Sequence, residues 1–140
     1  MNNNPARLFF YILLLVLLTG CTNPGSNEEV LKQKVQKQWD ARLKSDWGVV
    51  YDMTTDSYKK LIDRNSFIRK ANIQVAEFSI KEVKILKPGK EASASVDCTT
   101  IQMGFKFNRT IKEKWLWENG GWHLYLPPAT VSGPFRKPKT

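Results

Sequence analysis

The segment FKFNRTIKEKWLWENGGWHLYL, residues 105–126, decides the fold. Apolar residues recur at odd positions up to Trp117, a period that predicts a long, half-buried strand. Asn119-Gly120 is the strongest hairpin signal in the chain, because both residue types accept the positive φ angles of a two-residue turn. One face of the strand that follows is apolar and consists of Trp122, Leu124 and Leu126.

Two more strands are predicted upstream of this segment. An earlier strand begins near Ile73, and its apolar positions change phase near Lys81, which predicts a β-bulge. Pro88-Gly89 is a turn signature, and Met103-Gly104 is a weaker one. The intervening strand carries one apolar face, made of Ala92, Ala94, Val96 and Cys98. The second half of the chain therefore predicts a four-stranded antiparallel meander.

The first half of the chain predicts helices. Ser26 and Glu29 match a capping box, so a helix is expected to begin there. Two or three short helices are expected to follow, capped at Ser45 or Asp46, at Thr55 or Asp56, and at Ser66. The first helix has an apolar stripe at four-residue spacing, formed by Leu31, Val35, Trp39 and Leu43. Helices followed by a meander predict one α+β domain over residues 28–126, with the helices packed on a curved four-stranded antiparallel sheet.

Composition excludes several classes of protein. The chain has 140 residues, with 22 Lys and Arg against 13 Asp and Glu and a net charge of +9. Its apolar and charged fractions of 41% and 25% exclude collagen-like and fully disordered chains. Two cysteines exclude a disulfide-dense mini-protein. The positive charge either favours anionic headgroups or is scattered, solvated lysine, since no run of four basic residues occurs.

The N-terminus has the order of an export signal. Residues 8–18, LFFYILLLVLL, are apolar but shorter than the roughly 20 residues that a membrane span needs. Leu18-Thr19-Gly20-Cys21 resembles the lipobox of bacterial lipoproteins, which implies cleavage before Cys21 and its acylation; an ordinary cleaved signal is the alternative. Thr22, which is not an aspartate, implies the outer membrane facing the periplasm if the organism has two membranes.

This resemblance divides the chain into four parts. Residues 1–20 are expected to be the signal peptide, 21–27 the lipidated cysteine and its tether, 28–126 the folded domain and 127–140 a basic tail that contains proline. The tether spans at most about 20 Å when fully extended, so the domain is expected to lie close to the membrane.

The order of the elements in residues 28–126 resembles that of the nuclear transport factor two-like, or ketosteroid-isomerase-like, family. The shared features are a long helix with a central Trp39, short helices, and a meander whose Trp115-x-Trp117 strand precedes Asn119-Gly120 and Trp122. The resemblance implies a cone-like domain. The family includes enzymes, ligand binders and assembly modules, so it does not select one function.

Few residues in the chain suggest catalysis. His123, the one histidine, lies opposite Trp122 and Leu124, which predicts exposure or a structural hydrogen bond more than a catalytic base. Cys98 is expected to be a small buried residue, with a reactive thiol as the alternative. No phosphate loop, metal motif or nucleophile elbow occurs, so no metal and no cofactor are predicted.

Two charged residues lie on the apolar face of the long strand. Arg109 and Glu113 share that face with Trp115 and Trp117, and buried charges need partners. One hypothesis is a pocket in which the two charges orient a ligand and the tryptophans form its walls. In the alternative, strand twist carries the charges to the rim, where they reach water.

We therefore expect a non-catalytic, membrane-anchored envelope lipoprotein that binds an envelope protein or a second copy of itself. A small-ligand binding protein is the alternative, and an isomerase-like enzyme is less favoured because no acid and tyrosine are paired by spacing. Nucleic acid is not expected as a partner, because the export signal argues against it.

Overall fold

The computed structural model describes residues 26–71 and 73–127, and it places four helices before the sheet. The helices are α1 (Glu28–Leu43), α2 (Trp47–Asp52), α3 (Asp56–Leu61) and α4 (Arg64–Lys70). The strands are β1 (Gln74–Lys87), β2 (Glu91–Gln102), β3 (Phe105–Glu118) and β4 (Gly121–Tyr125). They form one sheet in the order β1-β2-β3-β4, with each strand antiparallel to the next. The predicted α+β class and the four-stranded antiparallel sheet are confirmed, and the sheet is not closed.

Helix α1 differs from the prediction in its N-cap residue and in the face that it buries. Its N-cap is Asn27, whose side chain accepts a hydrogen bond from the Val30 N–H at 2.8 Å, and not Ser26. Trp39 is buried, whereas Leu43, at the end of the predicted stripe, is 41% exposed. A four-residue step overshoots a helical turn by about 40°, so a stripe at this spacing leaves the buried face after three steps.

Two of the three short helices are capped by acidic side chains, whereas the N-cap of α3 is Thr55, a predicted position whose side chain makes no capping hydrogen bond. Asp46 accepts a hydrogen bond from the Val49 N–H at 3.2 Å and caps α2, which is one of the two predicted positions. Asp63 caps α4 and accepts from the Ser66 N–H at 3.0 Å, so the prediction of Ser66 as the cap is wrong by three residues. Hydrogen bonds from Ser66 also hold the pKa of the Asp63 carboxyl below its usual value.

The sheet follows the predicted alternation except in the first half of β3, where residues 105–110 are exposed on both faces although a half-buried strand was predicted. The β1–β2 register shifts between Ile80 and Glu82, where the bulge was predicted. Asn119 and Gly120 have φ angles of 49° and 76°, which confirms the predicted hairpin turn. On β2, the predicted apolar face is buried: Ala92, Ala94, Val96 and Cys98.

The core lies between α1 and the sheet. Trp39, Trp115 and Trp122 are its largest fully buried side chains. The outer edge of β4 is covered by the segment after α2, because Leu124 donates its N–H to the Met53 carbonyl at 2.8 Å and accepts from the Thr55 N–H at 3.1 Å. In residues 26–71 and 73–127, no helix has the length and apolarity needed to cross a membrane. The predicted signal peptide, Cys21 and residues 128–140 of the predicted basic tail lie outside the described residues.

Candidate functional site

The first half of β3 has one open edge in the described structure. Strand β4 pairs with β3 only from Lys114 to Glu118. Residues Phe105–Lys112 pair with β2 on one side and with no described strand on the other. We call residues 105–112 the free edge of β3.

The register shows which backbone groups this edge offers. Trp117 donates its N–H to the Lys90 carbonyl at 3.0 Å, on the β2 side. The β2–β3 register is unbroken from Leu116 to Phe105, so the odd-numbered residues all direct their N–H groups toward β2. The even-numbered residues therefore direct theirs outward along the free edge: Lys106, Asn108, Thr110 and Lys112.

The end of the β2–β3 hairpin is apolar and basic. Met103, Phe105 and Phe107 are 99%, 69% and 41% exposed, respectively. The free edge carries three cations and no acid: Lys106, Arg109 and Lys112. Exposed aromatic side chains beside an open, unbulged strand edge are features of a protein-binding surface.

A buried ion pair lies at the opposite end of β3, under α1. Arg42 Nη2 is 3.5 Å from Glu113 Oε1, and the Glu113 side chain is only 3% exposed. Trp115 Nε1 donates to Glu113 Oε2 at 3.3 Å. The guanidinium also lies over the Trp39 ring, 4.8 Å from its centroid.

Burial penalises both charges of this pair. Desolvation raises the pKa of the Glu113 carboxyl and lowers that of the Arg42 guanidinium, while the opposite charge of each partner acts in the reverse direction. The Nε1 of Trp39 and the amide of Gln38 lie close enough to Glu113 to lower its pKa. Neither reaches hydrogen-bond geometry, and both are buried without a partner among the described atoms. The pair is therefore held in a buried but incompletely satisfied polar cluster.

A cavity of about 250 Å³ opens beside this cluster on the helical side of the domain. We call it the helix-side pocket. Arg42 and Lys70 are its charged lining residues. Its walls are largely apolar and include Trp47, Ile62, Phe67, Ala71, Ile73 and Leu126, together with Tyr58.

The structure brings two of the four predicted pocket residues together, since Trp115 donates a hydrogen bond to Glu113, but it does not place them with Arg109 in one pocket. Glu113 and Trp115 are buried in the core, 6% and 0% exposed. Trp117 is half-buried against Trp122, with ring centroids 5.2 Å apart. Arg109 is exposed, lies 5.8 Å from the Phe107 ring centroid, and lines a separate cleft of about 460 Å³ on the sheet.

The other candidate groups have structural surroundings. Cys98 is buried, and desolvation raises the pKa of its thiol, which disfavours the reactive thiolate. His123 Nδ1 lies 3.3 Å from the Thr54 carbonyl oxygen, within hydrogen-bond distance. Tyr51 donates its hydroxyl to the Ile62 carbonyl at 2.8 Å. Within residues 26–71 and 73–127, no three His, Cys, Asp or Glu side chains form a cluster that could hold a metal ion.

Sequence reasoning missed Arg42, Trp47 and Lys70. Arg42 follows Trp39 by three residues, so both lie on one face of α1. The position of this cation beside the apolar stripe of α1 is the sequence feature that could have predicted a buried ion pair. Trp47 and Lys70 gave no comparable signal, because they meet Arg42 only through the packing of α2 and α4.

Comparisons with known proteins show likeness in fold alone. No protein-family model matches the chain, and no curated protein does. RPA3114, a SEC-C motif containing protein from Rhodopseudomonas palustris, is 12% identical, with a TM-score of 0.53 over 66% of this chain and 73% of that one. A SEC-C motif containing protein from Psychrobacter arcticus is 11% identical, with a TM-score of 0.54 over 69% of this chain. The match spans 58% of the Psychrobacter protein.

These comparisons correct the family assignment made from the sequence. The resemblance to a lipoprotein that carries a nuclear transport factor two-like, or ketosteroid-isomerase-like, cone is wrong. Two solved structures that the chain matches are SEC-C motif containing proteins, and no family or curated match supports the lipoprotein assignment. Element order and tryptophan placement misled the assignment, because many α+β domains place helices before a meander. The described domain shares its fold with SEC-C motif containing proteins.

Proposed function

We propose that the described domain is a non-catalytic module that binds another protein at the free edge of β3. The observation that carries this proposal is the open edge itself, with outward N–H groups at even positions and exposed Phe105 and Phe107 beside it. An extended segment of a partner could add to the sheet here, and each new backbone hydrogen bond would contribute about 1 kcal/mol.

The outer edge of β1 and the free edge of β3 differ in a way that favours strand addition at β3. Strand β1 has register shifts at three places, and Glu28 Oε1 accepts a hydrogen bond from the Ile85 N–H at 3.3 Å. Bulges and covering side chains protect an edge against strand addition. The β2–β3 register has no shift, so the free edge of β3 is regular enough to accept a strand.

Charge favours an acidic partner segment. Lys106, Arg109 and Lys112 would repel the same residues of a second copy. The chain's own tail, residues 127–140, contains basic residues and no acidic one, so it is not complementary either. One face of the free edge is polar and basic, and the other is largely apolar. The partner that fits is therefore an extended segment in which acidic and apolar residues alternate.

A peptide titration tests this proposal. The probe is an end-blocked octapeptide of alternating glutamate and valine, added to the ¹⁵N-labelled full-length protein in an uncharged detergent. We expect saturable NMR shift changes concentrated at residues 105–112. A matched peptide of alternating lysine and valine should cause none, since its charge repels Lys106 and Lys112.

One matched pair of variants distinguishes strand addition from simple charge attraction. Asn108→Pro removes an outward N–H without breaking a hydrogen bond to β2. We expect this variant to lower the affinity for the glutamate–valine peptide at least ten-fold. Asn108→Ala also removes the side-chain contact with Thr99, but it should leave the affinity within two-fold. Equal binding by both variants, or equal binding of the two peptides, would contradict the proposal. Nucleic acid binding at this edge would likewise show no dependence on the Asn108 N–H.

The location of the module stays a prediction. Attachment to a membrane surface, facing the periplasm in a two-membrane organism, concerns residues outside the described ranges. Fractionation of its own cells tests it, because a surface-attached protein would be recovered with the membrane fraction and a free protein would not. The binding proposal does not depend on the result.

Two finer sequence predictions also stay proposals. A cone-like curvature of the sheet is supported by the three register shifts of β1, because β-bulges bend a strand and increase its twist. The absence of enzymatic activity is supported by the partners of Glu113, which are Arg42 and Trp115 and not a tyrosine.

A further inference from the structure

The helix-side pocket joins an apolar cavity to an incompletely satisfied cation. Arg42 lines the cavity, and its side chain is 19% exposed. Its ion pair with Glu113 is long, at 3.5 Å, and its Nε is buried without a hydrogen-bond partner in the described chain. A guanidinium has five N–H donors, so most of the donors of Arg42 are not used by Glu113.

The other lining groups strengthen the preference for an anion. Lys70 is the second cation, and no acidic side chain among residues 26–71 and 73–127 lines the pocket. Burial raises the pKa of the Tyr58 hydroxyl, which therefore stays protonated and can donate a hydrogen bond. Trp47 and Phe67 pack edge to face, with ring centroids 6.5 Å apart, and form a stable apolar wall.

We propose that the helix-side pocket binds a small amphipathic anion, namely a monocarboxylate whose apolar body lies against Trp47 and Phe67 and whose carboxylate faces Arg42 and Lys70. At roughly 30 Å³ for each methylene-sized group, the cavity of about 250 Å³ holds about eight such groups. An eight-carbon chain or a single aromatic ring matches that size. This site is separate from the free edge of β3, and it does not rest on the function proposed there.

The chain's own tail is the other candidate occupant, because the described residues end at Pro127, next to Leu126 of the pocket. The tail could place Phe135 against the apolar wall, but its charged side chains are those of Arg136, Lys137 and Lys139, all of them basic. Cations next to Arg42 and Lys70 would be repelled, whereas a carboxylate would be attracted. Charge complementarity therefore favours an external anion.

Three probes with one apolar body test the proposal: octanoate, 1-octanol and octylammonium. The readout is the methyl NMR shifts of Ile62 and Leu126, which line the pocket, in the full-length protein in an uncharged detergent. We expect octanoate to saturate these shifts. Octanol should bind at least ten-fold more weakly, and octylammonium should cause no change.

The variants separate charge recognition from apolar binding. Lys70→Gln removes the exposed cation of the pocket. It should lower the affinity for octanoate about three-fold to ten-fold without changing the affinity for octanol. Lys60→Gln, on an exposed residue that does not line the pocket, should change neither. Ala71→Leu fills the cavity without removing charge and should abolish octanoate binding.

Each contrary result overturns the inference. Equal affinity for octanoate and octanol would show that Arg42 and Lys70 do not recognise the carboxylate. Octanoate binding that survives Ala71→Leu would place the site elsewhere. Binding that appears only in Phe135→Ala would show that the tail occupies the pocket, and no saturable shift with any variant would exclude the ligand class.

Discussion

Replacement of Arg42 by methionine is expected to lower the free energy of unfolding by about 3 kcal/mol at pH 7. Methionine preserves much of the apolar stem but leaves the Glu113 carboxylate buried without its cation. The cost is limited because Glu113 can take up a proton, and each unit between the pH and its ordinary pKa corresponds to about 1.4 kcal/mol. Urea denaturation of the wild-type protein and the variant measures this difference.

The pH dependence of this loss follows from the direction of the shift. Burial raises the pKa of Glu113 in the folded protein, so its contribution to stability is fully present below the ordinary carboxyl pKa and is lost as the pH rises through the folded pKa. Removal of Arg42 raises the folded pKa further, since Arg42 is the charge that lowers it. The deficit of Arg42→Met should therefore shrink to below about 1 kcal/mol at pH 4.5.

A double variant is the control for this prediction. Arg42→Met/Glu113→Gln removes both charges and should recover most of the stability at pH 7, with little pH dependence of the remaining difference. A deficit in Arg42→Met that stays constant from pH 7 to pH 4.5 would contradict the electrostatic explanation. It would instead assign the loss to the packing of Arg42 on Trp39.

The second large effect is expected at Trp39. Trp39→Ala should lower the free energy of unfolding by about 4 kcal/mol, because it empties a fully buried position between α1 and the sheet. The ring packs on Phe78, with centroids 5.7 Å apart, and it supports the Arg42 guanidinium. Thermal and urea unfolding followed by far-UV circular dichroism measure the loss.

Leu43→Ala is the matched control, because Leu43 is on the same helix and in the same predicted stripe. The structure leaves Leu43 substantially exposed, so its truncation should cost less than about 1 kcal/mol. Similar losses for the two variants would contradict the observed rotation of the stripe away from the core. They would support the buried stripe that four-residue spacing predicted.

The features that could be predicted from the sequence are those that depend on residues close together in the chain. The Asn119-Gly120 turn, the bulge after Ile80 and the buried face of β2 each depend on a few consecutive residues. The cap of α4 was predicted wrongly, because both Asp63 and Ser66 are good capping residues and only the structure shows which begins the helix. The family assignment failed because element order is shared by unrelated domains.

The candidate sites depend on contacts that local patterns do not contain. Arg42 and Glu113 lie on different elements far apart in the sequence, and their pairing requires α1 to pack across the sheet. The free edge of β3 exists because β3 extends far beyond the end of β4 at Tyr125. The relative length of two paired strands is set by tertiary structure, so alternation alone predicted both strands but not the open edge.

Backbone hydrogen exchange at the free edge of β3 is the most direct test of the proposed binding surface. In the free protein, the outward amides of Lys106, Asn108, Thr110 and Lys112 should exchange faster than the odd-numbered amides that bond to β2. Addition of the glutamate–valine peptide should protect the outward amides selectively. Unchanged exchange at these four positions under saturating peptide, or protection spread equally over odd and even residues, would contradict strand addition at this edge.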